Sequence, residues 1–98
     1  MIFGRKNTEL EKPPIAREQG SFEILRVWGG VNLPQQYALN TTWDDPGAWG
    51  LLLMDIARHA SKAYDSAGQI TEQEALSRIK QIFDAEWGSP TDEPEKIL

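Results

Sequence analysis

The segment from Asp45 to Gly68 carries its own start and stop signals, and it constrains this chain more than any other feature. Asp45 offers a capping carboxylate, and Pro46 stands at the first helical position, where its missing N–H costs nothing. Behind them Trp49, Leu52, Leu53, Ile56, Ala57, Ala60, Ala63, Tyr64 and Ala67 recur at helical spacing, and Gly68 follows where a left-handed C-cap belongs. The segment therefore predicts an amphipathic helix. The link Gly68-Gln69-Ile70 leads into Thr71-Glu72-Gln73-Glu74, a capping box in which hydroxyl and carboxylate satisfy each other's backbone donors. A second helix follows, with Ala75, Leu76, Ile79, Ile82, Phe83 and Trp87 as its stripe and Gly88 at its end. So short a link makes the two helices antiparallel neighbours.

Upstream the pattern changes period. Phe22 to Trp28 is rich in branched and aromatic residues and stops at Gly29-Gly30, which predicts a strand and a turn. A second strand over 36–43 places Tyr37, Leu39, Thr41 and Trp43 on one side, with a longer loop from Gly29 to Pro34 closing the hairpin. Two strands alone are marginal in water, so the helices are expected to lie over one face of the sheet. The predicted fold is α+β, a β-hairpin followed by an antiparallel helix pair (ββαα), with room for a short extra strand at 12–17. Pro13-Pro14 and Gly20 at one end, and two prolines after Gly88 at the other, suggest a flexible arm at 1–20, one domain at 21–88 and a flexible tail at 89–98.

Composition removes several functional classes. With 98 residues and no cysteine, the chain is the size of one domain, without disulfide staples, thiolate chemistry or sulfur-ligated zinc. A net charge of −5, with no basic run interleaved with aromatics, argues against nucleic acid as a partner. The longest apolar run, Trp49 to Met54, is too short to span a bilayer, so a cytoplasmic protein with no membrane contact is expected. No phosphate-binding glycine loop and no ligand cluster of metal-site density is present, so no metal and no cofactor are expected.

The strings Glu23-Ile24-Leu25-Arg26-Val27-Trp28 and Asp45 to His59 resemble an uncharacterised bacterial family, mostly proteobacterial. Its members are about as long as this chain and are catalogued as a domain of unknown function. The resemblance spans about residues 21–88. It implies a bacterial cytoplasmic protein and assigns no activity, cofactor or catalytic residue.

Three sets of residues remain as candidate sites. Leu51 and Met54 lie on the back of the first helix, each more than about 100° from the centre of its stripe. With Trp43 and Trp49 as rigid anchors they form a candidate interaction surface for another protein chain, or for a second copy in a symmetric homodimer. Trp28, Trp43, Trp49 and Trp87 are many for so short a chain; they suggest either core anchors or an aromatic platform for a small molecule, with Arg26 meeting an anion. Finally, Asp55 and His59 stand four residues apart and share a helix face, the weakest basis for an enzyme because no nucleophile or second acid accompanies them. A non-enzymatic interaction or regulatory domain is therefore the leading expectation, with the small-molecule domain and then the enzyme behind it. No catalytic residue is assigned.

Overall fold

The computed structural model describes residues 8–90. Its elements run β1 (Leu25–Gly30), β2 (Leu33–Leu39), α1 (Gly47–Ser66) and α2 (Glu72–Gly88), preceded by a single 3-10 turn at Pro14–Arg17. This is the predicted hairpin followed by two helices. The extra strand at 12–17 is not formed: Pro13 and Pro14 supply no N–H for a sheet, and the 3-10 turn takes the stretch instead.

The hairpin is tighter than expected. Gly29 and Gly30 belong to β1, and only Val31 and Asn32 remain for the turn, with Asn32 in the left-handed region at φ 60°. Asparagine tolerates that conformation better than other side chains, and this lets β2 start at Leu33. The antiparallel register pairs Leu25 with Leu39 and Val27 with Tyr37 on one face, and Arg26 with Ala38 and Trp28 with Gln36 on the other. β2 ends at Leu39, not at Trp43. Thr42, at φ 67°, cannot continue a strand; its N–H donates to Asn40 Oδ1 at 2.8 Å and its hydroxyl to the Asn40 carbonyl at 2.9 Å.

Both helices begin and end within a residue of where their end signals predict, α1 opening at Gly47 with Pro46 in the cap position in place of Asp45. Proline has no side-chain acceptor, and Asp45, one residue upstream, satisfies the first helical donor in its place: its Oδ1 accepts from the Gly47 N–H at 2.8 Å. At the far end Gly68 adopts φ 76°, its N–H donating to the Asp65 carbonyl and that of Gln69 to Tyr64, the paired bonds of a Schellman motif. A Cβ at Gly68 would meet open space, so Gly68→Ala isolates the cost of the left-handed backbone. We expect a loss of about 1 kcal/mol in urea unfolding; an unchanged midpoint would show that this motif does not stop the helix. α2 opens on the full capping box, Thr71 Oγ1 accepting from the Glu74 N–H and Glu74 Oε1 from the Thr71 N–H. Asp65, on the last turn of α1, also accepts from the Glu72 N–H at 2.9 Å, tying the two helix ends together.

Packing departs most from expectation. α1 and α2 lie against each other, as do β1 and β2, but no Cα of the hairpin comes within 8 Å of one in either helix. The helices are not a lid on the sheet. Among the described residues only Ser61 and Ala75 are buried, and both are small residues at the helix crossing. Ser61 spends its hydroxyl on the Ala57 carbonyl at 2.8 Å, so it can sit in the crossing with no unsatisfied polar atom. The buried residue of α1 lies off the predicted stripe: Ser61 stands one residue, about 100°, round the helix from Ala60, which like Ala57 is half-buried. Leu53 and Ile56 are left exposed.

Candidate functional site

The most distinctive surface of the protomer is apolar and open. Seventeen large hydrophobic side chains among the described residues are exposed, against a core of one alanine and one serine. Scattered surface leucines are ordinary, but exposure this extensive beside so small a core is not.

Leu51 and Met54, predicted at the back of α1, are 72% and 39% exposed. Neither the hairpin nor the 3-10 turn reaches across to seal them, and Ile15 in that turn is itself exposed. Phe3, a second apolar residue of the N-terminal arm, lies outside the described residues. Trp43 and Trp49 come together as an edge-to-face pair with centroids 6.1 Å apart and planes at 80°. Trp43 is exposed and Trp49 half-buried. The Trp49 indole N–H donates to the Thr41 carbonyl at 2.9 Å, and the same oxygen takes the Trp43 backbone N–H. The pair therefore braces the link between β2 and α1 at the point where Thr42 holds its left-handed backbone. Trp28 is exposed on the hairpin, and Trp87 packs at 6.0 Å on Phe83 near the end of α2. The four rings are not gathered into one platform.

Arg26 is bonded through two nitrogens to Glu23, Nη2–Oε1 at 2.8 Å and Nε–Oε2 at 3.3 Å, with Glu9 at 3.5 Å. The hydrogen bond to Glu23, then the charge of Glu23, hold its guanidinium pKa above the ordinary value; desolvation opposes this and Glu9 adds to it. A raised pKa means the charged form persists, so this cluster would lose its cation only in strong alkali. Asp55 and His59 stand one turn apart on α1, both exposed, and no hydrogen bond or ion pair joins them. Among the described residues no group of three His, Cys, Asp or Glu is placed to hold a metal, and no helix is long and apolar enough to cross a membrane.

Two grooves flank Arg26. One, of about 420 Å³, lies between residues 8–13 and β1. The other, of about 570 Å³, runs between the 3-10 turn, the start of β1 and the α1 side chains Leu52 and Ile56. The sequence did not reveal Glu9 as a partner of Arg26, because the pairing depends on where the segment before the 3-10 turn runs. Nor did it reveal Leu53 and Ile56 as surface, since both fall at the centre of the α1 stripe.

Fold and surface together define a small ββαα domain whose apolar faces are left open. The chain belongs to the family described as Domain of unknown function (DUF5076), whose model matches residues 9–91. Among solved structures it is similar to a chain from the photosynthetic bacterium Rhodopseudomonas palustrus CGA009, with 38% identity and a TM-score of 0.71 over 97% of this chain and 96% of that one. That structure is described as a "putative pyruvate dehydrogenase". No curated protein matches the chain.

Proposed function

We propose that this chain is a non-enzymatic interaction domain of a bacterial cytoplasmic protein, binding a protein partner through the apolar circumference of α1. The observation that carries this reading is the exposure of Leu51 and Met54, flanked by the braced pair Trp43 and Trp49. A thioether and a leucine adapt to a partner's shape, while the tryptophans present rigid area beside them. The similarity to a bacterial chain supports the bacterial origin.

The dehydrogenase description of that neighbour is not carried over. Of the two cations that line both grooves, Lys12 and Arg26, only the arginine could grip a carboxylate bidentately, and it is already engaged by Glu23 and Glu9. The same pairing weakens the reading of a small-molecule domain built on Arg26 and the tryptophans.

Replacing Leu51 and Met54 together by Glu tests the reading. Both side chains are exposed, so helical circular dichroism should be preserved to within about 0.5 kcal/mol of wild-type stability. Affinity capture from the native cells should lose its specific partner with the double variant. Identical captured sets for wild type and variant would refute the proposal, and an unfolded variant would show that these residues belong to a core.

A further inference from the structure

We infer that the sheet face of one copy packs on the exposed helix face of a second copy, making the folded unit a twofold dimer in which each hairpin covers its partner's helices. The inference deepens the proposed interaction function by naming a partner for a different surface from Leu51 and Met54.

Neither half of the protomer is complete. The hairpin has one uncharged face formed by Leu25, Val27, Leu33, Tyr37 and Leu39. Its remaining member, Gln35, is occupied by the Tyr37 hydroxyl at 3.0 Å. Leu25, Tyr37 and Leu39 are half-buried while Val27 and Leu33 are exposed, and a two-stranded sheet so thinly covered is marginal in water. The helix pair buries only Ser61 and Ala75 between its members and leaves the centre of the α1 stripe, Leu53 and Ile56, facing outward, with Phe83 and Trp87 exposed on α2. One half therefore lacks a layer of helices, and the other lacks a sheet. Within a protomer no Cα of one half comes within 8 Å of the other, with Leu52 and Ile56 reaching Leu25 only across the groove beside the 3-10 turn, and the link between the halves is braced by the Trp49 to Thr41 bond and the Trp43 ring.

A foreign partner would have to present both a helical face and a sheet face, correctly spaced. A second copy of this chain presents both, and a twofold axis satisfies all four faces at once. Charge agrees with this. The chain carries −5 overall, yet the sheet face and the α1 stripe centre are uncharged, so two acidic copies can meet there without opposing carboxylates. Area agrees as well. Val27, Leu33, Leu53, Ile56, Phe83 and Trp87 are between 43% and 80% exposed. At about 200 Å² for a large apolar side chain they alone offer roughly 650 Å² per copy, most of the ~800 Å² per partner of a stable interface.

The absence of cysteine makes the arrangement directly testable. Val27→Cys and Ile56→Cys, both at exposed positions, are made as separate full-length variants, co-expressed and treated with a short bis-maleimide, since packed layers stand about 10 Å apart. The inference predicts a covalent dimer from the mixture at several times the yield from either variant alone, and a wild-type sedimentation mass of twice 11.1 kDa. A dimer without the mixed cross-link would overturn this packing. A wild-type monomer that binds an apolar dye, losing it on Ile56→Lys, would overturn the second copy while leaving the interaction reading intact. A monomer that binds no dye would overturn both.

Discussion

Ala75→Phe is expected to unfold the helix pair. Ala75 on α2 is 3% exposed and Ser61 on α1 is fully buried, so the only buried positions described on the two packed helices are held by small residues. A phenyl ring there must push the axes apart or leave through a strained rotamer, and overpacking of this kind costs about 1–3 kcal/mol, more where nothing can yield. The variant has little else to fall back on, because this crossing is the only buried contact among the described residues and small domains hold only about 5 kcal/mol in reserve. We expect the thermal midpoint, followed by helical circular dichroism, to fall by about 10 °C or more. Ala75→Ser, which adds one small polar atom, should cost less than about 1 kcal/mol more than wild type. A midpoint unchanged in Ala75→Phe would place the crossing elsewhere.

Trp49→Ala should have the next largest effect, and for a different reason. Trp49 packs edge-to-face on Trp43 and gives its indole N–H to the Thr41 carbonyl, so its loss removes ring packing and a hydrogen bond together. Truncation of a half-buried aromatic costs less than the core value, about 2 kcal/mol. Trp49→Phe keeps a ring and loses only the donor, which is worth about 1 kcal/mol. Urea unfolding of the two variants separates the contributions. Equal losses would mean that the bond to Thr41, not the ring pair, braces the link between hairpin and helices.

The helices were legible in the sequence because their end signals are local. Asp45, Gly68 and the Thr71 to Glu74 box each act within a few residues, and the hydrogen bonds follow the pattern those residue types dictate. The strand ends were less legible. Asn32 and Thr42 both adopt left-handed backbone, and neither is glycine, so no residue type announced where β2 would begin and end. The assembly of the halves was not legible at all. Apolar periodicity shows that a face will be covered, not by what, and the stripe of α1 reads the same whether α2, the protomer's own hairpin or another chain lies over it. Hence Leu53 and Ile56, which look like core on a helical wheel, are surface in the protomer. Leu51 and Met54 were identified from the sequence because they fall outside that stripe.

The proposed dimer makes one demand above all: with Ser61 and Ala75 the only buried residues among those described, the protomer is expected to rely on a second copy for its stability. The direct measurement is urea unfolding of the wild-type chain over a hundredfold range of protein concentration. If folding is coupled to dimerisation, stability rises by about 2.7 kcal/mol across that range and the midpoint climbs by about 1 M. A midpoint independent of concentration, in a chain sedimenting as a monomer, would contradict it.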